Sequence, residues 1–189
     1  MNATDLNKEL KFVNHSRENR VYYARTVIKN PELLPFVLQK LFEVNDKKSC
    51  KAAWLLEFVA REDLDAILPE LDTFTSNMHK VHYDSAIRPV AKICENLAIA
   101  YFSKEDNLTK SMLKSHHRER IIELCFDYLI TDQKIAPQAY SMTVLYLFGK
   151  IYDWIHPELI QILERNYASG SVGYQNRAAK LLDRLKKVV

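Results

Sequence analysis

The chain writes one pattern twice at a spacing of 34 residues: Leu33-Leu34-Pro35-Phe36-Val37-Leu38, then Ile67-Leu68-Pro69-Glu70-Leu71. Each is a proline set in an apolar stretch, and the alanine-rich stretch Ala52-Ala53-Trp54-Leu55-Leu56 lies between them. A related stretch, Ala178-Ala179-Lys180-Leu181-Leu182, comes near the end. Self-similarity at this period points to stacked helical hairpins in which one helix is bent and the other packs closely. Glycine supply supports this. The 189 residues hold only Gly149, Gly170 and Gly173, where ordinary usage of about 7% would give roughly 13. Phosphate loops and tight βα turns need glycine, so most nucleotide-binding α/β architectures lack their raw material here.

Apolar residues recur at helical spacing along nearly the whole chain. Val21, Ala24, Val27 and Ile28 make one side of a helix over 16–29, which ends at Asn30-Pro31. Leu34, Leu38 and Leu41 predict a helix over 31–43; Ala52, Leu55, Leu56 and Val59 predict its partner over 48–60. A second pair is expected over 63–78, bent at the internal Pro69, and over 83–102, with Ala86, Val90, Cys94, Leu97 and Tyr101 in a stripe. A polar loop holding one short turn covers 103–115. A third pair follows over 117–130 and 136–153, and a fourth over 157–168 and 174–187. Short β-branched stretches such as Val21-Tyr22-Tyr23 all fall inside longer 3.6-residue patterns, so no sheet is expected. The predicted fold is all-α and a single domain over 1–189: a right-handed α-α superhelix of about four hairpins behind an N-terminal helix.

This alternation of a proline-bent first helix with an alanine-containing second helix looks like the HEAT/armadillo class of helical repeats. The resemblance spans roughly 31–187 and is carried by Leu34-Pro35, Ile67-Leu68-Pro69, Ala52-Ala53 and Arg177-Ala178-Ala179. The third pair departs from the pattern, because Pro137 lies at the start of its second helix. The resemblance implies a binding face on the exposed side of the second helices. At matching places stand Arg88 and Lys92 in the second pair and Arg177, Lys180 and Arg184 in the last helix; apart from the resemblance, Arg17 and Arg20 belong to a basic excess over residues 1–30. Cations repeated along a rigid face hold phosphates or an acidic protein. The chain's net charge is only +3, far from that of a dedicated nucleic-acid-coating protein.

Aromatic residues are the second interaction signal. Tyr140, Tyr146, Tyr152, Trp154 and Tyr167 gather in the C-terminal third; Tyr146 and Tyr152 lie off the face of Leu145 and Phe148, and Trp154 follows them. Tyrosine and tryptophan supply large contact area with a polar tip at protein interfaces.

Catalytic constellations are sparse. No Ser-centred elbow, HExxH, phosphate loop or glycine-rich nucleotide turn occurs. His79 and His82 stand three apart with Asp84 beyond, short of the ligand count a stable zinc site needs. His116 and His117 are adjacent, so their side chains diverge by about 100° on a helix, beside the repelling Arg118 and Arg120. Cys94 and Cys125 fall on apolar stripes, where a thiol acts as a small hydrophobe; Cys50, next to Lys51 at a helix start, is the one place where a thiolate would be helped, but all three read as buried structural cysteines. Three widely spaced cysteines fit reduced thiols in a cytoplasmic setting. The start MNATDLNKELKF has no apolar core after a basic segment, and nowhere do 18 uncharged apolar residues run together, so neither a secretory signal nor a membrane span is expected. The expectation is a non-enzymatic protein-interaction or scaffold module, with no metal and no organic cofactor. Its partner is a protein, and apolar stack ends offer a weak homodimer contact. The alternative is a nucleic-acid-binding protein using the basic face.

Overall fold

Helix starts and stops follow local chemistry. Ser16 accepts the Asn19 amide and opens α2 (Arg17–Lys29), the position at which a short hydroxyl satisfies an otherwise orphaned N–H. Ser171 does the same for Tyr174 at the start of α11 (Val172–Leu185). The computed structural model describes residues 1–187, all of whose regular structure is helical. The remaining helices are α1 (Ala3–Glu9), α3 (Leu34–Phe42), α4 (Lys48–Glu62), α5 (Leu71–Asn77), α6 (Asp84–Tyr101), α7 (Leu108–Met112), α8 (Ser115–Ile130), α9 (Ile135–Phe148) and α10 (Ile155–Tyr167).

Five of these helices form a row in which each packs on the next: α2 on α4, α4 on α6, α6 on α9, and α9 on α11. Behind it, α3 packs on α4, α8 on α9, and α10 on both α9 and α11. Alanine explains the close spacing. Ala52 and Ala53 of α4, and Ala86, Ala91 and Ala98 of α6, are buried and keep neighbouring backbones near, while Leu55, Leu56, Val59, Val90, Ile93 and Leu97 fill the layer between. Burial of each such large side chain contributes about 1.5–3 kcal/mol.

Pro89 lies inside α6 and is buried. It has no N–H to give to Ser85 one turn earlier. The Ser85 carbonyl accepts instead from Trp54 Nε1 of α4 at 2.8 Å, so the donor α6 lacks comes from its neighbour in the row.

Three details depart from the expected pattern. Pro69 does not bend an α-helix: Asp65–Glu70 form a 3-10 segment, and α5 starts only afterwards, because proline's missing donor breaks the i→i−4 ladder. The second pair is also not a closely packed hairpin. Helix α5 packs on α3 and α8, while its 3-10 extension Met78–Lys80 reaches α6 through Met78 Sδ, 3.8 Å from Cys94 Sγ. The N-terminus adds α1 and a 3-10 turn over Leu10–Phe12, with Leu6, Leu10 and the following Val13 buried, where the apolar periodicity predicts no helix before 16. The polar stretch 103–115 resolves into a loop over 103–107 and α7, with α8 starting at Ser115. Asn107 joins the two, accepting the Lys110 amide and donating to Ala100 O at 2.9 Å.

Gly149 marks the closest approach after α9. A Cβ there would collide with the imidazole of His156, which is buried and bonded through Nε2 to Tyr146 O at 2.9 Å. The ring has no free direction in which to yield. Gly149→Ala should therefore destabilise the fold by about 1–3 kcal/mol, read as a lower urea midpoint with an unchanged slope.

Candidate interaction surface

The exposed edge of the row is built from residues three or four apart on each helix. Helix α4 contributes Lys51, Trp54 and Arg61, with the buried Phe58 and Glu57 beside them; α6 contributes Arg88 and Lys92; α9 contributes Tyr140 and Thr143; α11 contributes Arg177, Lys180 and Arg184. The neighbouring helices join these stripes. The Arg20 guanidinium of α2 lies over the rings of Trp54 (4.7 Å) and Phe58 (5.4 Å) on α4, and its Nε donates to Asn14 O at 2.8 Å. Arg88 donates to Glu57 at 3.1 Å. Lys92 bonds Glu95 at 2.7 Å and sits 4.9 Å over the Tyr140 ring of α9. Arg177 donates to Thr143 Oγ1 at 2.6 Å. Lys180 and Arg184 share a small hollow of about 90 Å³ with Tyr146, Thr143 and Arg177.

Six of the seven cations expected from the sequence are thus brought to one face. Among the described residues, no hydrogen bond or ion pair ties Arg17, the exposed first residue of α2, to the neighbouring helix. The face also carries Lys51, 4.6 Å over Trp54, and Arg61, 5.6 Å over Phe58. Its two carboxylates, Glu57 and Glu95, are both buried and both paired. Burial lowers the Arg20 pKa, the charge of Glu57 opposes that shift, and Arg88 adds to it. Among the described residues Arg177, Lys180 and Arg184 have no ion-pair partner. Between α4 and α6 a groove of about 580 Å³ runs past Arg61, Arg88, Lys92, Asn96 and Tyr140.

The expected aromatic group divides. Tyr146 belongs to the row, stacked on His156 with centroids 5.7 Å apart and covered by Lys150 at 5.4 Å. Tyr152 and Trp154 stand in the connection after α9, against Phe126 of α8, away from the basic face.

His116 and His117 do not diverge as the sequence suggests. Both Nε2 atoms reach Asp72 Oδ1 of α5, at 2.8 and 2.9 Å, and their ring centroids lie 4.0 Å apart. The α8 start explains this, since its first turn tucks His117 inward to accept the Lys114 amide at Nδ1 (3.2 Å). The three side chains have the spacing of a metal-ligand group, but their hydrogen bonds argue against that use. With Nδ1 an acceptor, the neutral His117 ring carries its proton on Nε2 and donates to Asp72, so the nitrogen facing the cluster has no lone pair for a metal. The trio instead fastens α5 to α8. His79 and His82 belong to no ligand group among the described residues.

The thiols are not activated. Burial raises Cys94 well above the ordinary range and pushes Cys125 up to about 12. Cys50 is raised by burial as well, against the smaller lowering effects of Ser49, its own backbone and Lys51.

The Asp72 latch sets an acid-side expectation. Hydrogen bonds from His116 first, then His117, hold the Asp72 carboxyl below its ordinary value. A depressed folded pKa gives a contribution that is complete above the unfolded value, about 3.9, and lost as pH falls through the lower folded one. Asp72→Asn should therefore reduce the slope of stability against pH below about pH 4, measured by urea unfolding at successive pH values; equal slopes for both proteins would remove the latch. No protein-family model, curated protein or solved structure matches this chain.

Proposed function

We propose that this chain is a non-enzymatic interaction module, a HEAT-like right-handed superhelix of about four helix pairs, the second of them not closely packed, behind an N-terminal section, which holds an acidic protein segment along the exposed edge of its helix row. The observation that carries this reading is the alignment of Arg20, Arg88, Lys92, Arg177, Lys180 and Arg184 on one face, where Glu57 and Glu95 are buried and paired and, among the described residues, Arg177, Lys180 and Arg184 have no ion-pair partner. The absence of an activated thiol supports a binding role rather than a covalent one. Among the described residues no helix is long and apolar enough to cross a membrane; a cytoplasmic protein partner is the setting proposed.

The aromatic rings support an acidic protein over single-stranded nucleic acid. Single-strand binders leave aromatic faces open so that bases stack on them. Here Trp54, Phe58, Tyr140 and Tyr146 each have a cation over the ring. The rings hold the cations in place and are not free platforms. A second reading, duplex nucleic acid gripped through its phosphates alone, is favoured by the regular succession of cations across the row.

Titration of the full chain with a labelled glutamate-rich peptide, labelled duplex and labelled single strand, each at several salt concentrations, tests both. The acidic peptide should bind with salt-sensitive affinity. Arg177→Glu with Arg184→Glu should weaken that binding at least tenfold, while the circular dichroism spectrum stays unchanged because both residues are exposed. Duplex bound at micromolar concentration in physiological salt, with a log–log slope near −3.6 for about four phosphate contacts and lost in the same variant, would put the second reading in place of the first. Absence of any anionic ligand would end both.

A further inference from the structure

On the side of the molecule formed by α8 and the α9–α10 connection, the charge logic of the row is reversed. Glu119, Glu123 and Asp127 recur every four residues on α8, which aligns them along one edge of the helix. They rim a groove of about 550 Å³ whose floor and far wall are Ile122, Phe126, Tyr152 and Trp154. Trp154 stacks on Phe126 with ring centroids 5.5 Å apart and planes inclined by 24°, yet 54% of its surface is exposed. Packing thus fixes the ring's position and leaves much of its surface open. The Tyr152 hydroxyl accepts from Arg118 Nε at 3.2 Å, which fixes the second ring.

Among the described residues, none of the three carboxylates takes part in an ion pair or a side-chain hydrogen bond. The nearby cations are engaged elsewhere. Arg118 also donates to Leu113 O at 2.7 Å. Arg120 turns to Thr75 and Ser76 at 3.3 and 3.0 Å, and with His79 it faces the opposite hollow, which Glu123 and Asp127 also border. Burial, then the charge of Glu123, raises the Asp127 carboxyl above its ordinary value, as is usual for two acids lacking a counterion. Open aromatic surface beside unpaired carboxylates is the complement of an organic cation. Because the carboxylates keep all their acceptor positions free, the cation that suits them carries N–H donors. A quaternary ammonium would leave those acceptors unused.

We propose that this groove is a second interaction site, which takes the lysine or arginine side chain of an exposed basic segment in a partner protein. The alkyl stem lies against Trp154 and Phe126, and the charged head is bonded by Glu123 and Asp127.

The test uses the full chain and the indole N–H signal of Trp154 in its NMR spectrum, distinguished from that of Trp54 by a Trp154→Phe sample. The probes are short capped peptides with one central lysine, arginine, citrulline or norleucine, together with choline. Lysine and arginine peptides should shift the Trp154 signal saturably and leave that of Trp54 unmoved. Glu123→Gln with Asp127→Asn should weaken this by about tenfold, and Trp154→Ala, followed through the backbone signals of α8, by several-fold. Both variants alter exposed groups, and an unchanged spectrum away from the groove shows that they fold. A citrulline or norleucine peptide binding as well as its charged counterpart, choline competing as well as lysine, or undiminished binding to the double variant would each overturn the proposal.

Discussion

Helix α4 has α2 on one flank, α6 on the other and α3 behind it, and the rest of the molecule is arranged around that confinement. A helix enclosed so closely cannot carry bulk on every side. Ala52, Ala53 and Ala60 meet this requirement, and each is buried. The edge of α4 that remains open is narrow, and it holds Lys51, Trp54 and Arg61. Trp54 contributes twice there. Its indole N–H supplies the hydrogen bond that Pro89 cannot give to Ser85, and its ring carries the cations Arg20 and Lys51. Backbone satisfaction in α6 and the position of charge on the row face depend on the same side chain.

The two charged surfaces differ in how their charges are held. On the row, Arg20 and Lys51 lie over rings, Lys92 lies over a ring and bonds buried Glu95, and Arg88 bonds buried Glu57, which reduces their side-chain entropy. In the α8 groove the arrangement is inverted: the rings are fixed by stacking and the acids stand unpaired at the rim. A net charge of +3 conceals this segregation. Charge balance describes the chain's average field, whereas recognition depends on which charges share a face.

The helical class and most helix boundaries, though not the start of α5 or the end of α9, were legible in the chain because each rests on local rules. Three- and four-residue spacing determines which side chains share a helix face, and capping residues such as Ser16 and Ser171 act on amides three positions away. Proline's missing N–H is equally local, but its consequence is not. Pro69 turned the preceding segment into a 3-10 stretch, whereas Pro89 was accommodated inside α6 because Trp54 was within reach. The short α1 does not stand out in the sequence because Leu6, Leu10 and Val13 give too few periodic positions, and the 3-10 turn that follows it packs on α4, distant in the chain.

By itself the sequence determined an all-helical chain with little glycine, cations at helical spacing and an excess of tyrosine. Only the tertiary structure decided which of these groups meet. It brought Asp72 to His116 and His117, 44 and 45 residues away; it separated Tyr146 from Tyr152 and Trp154; and it seated Trp154 on Phe126 beside three unpaired carboxylates. The physical reason is that helix formation is governed by neighbours within about four residues. Sites are governed by which helix faces are pressed together, and that depends on the volumes buried between helices distant in the chain.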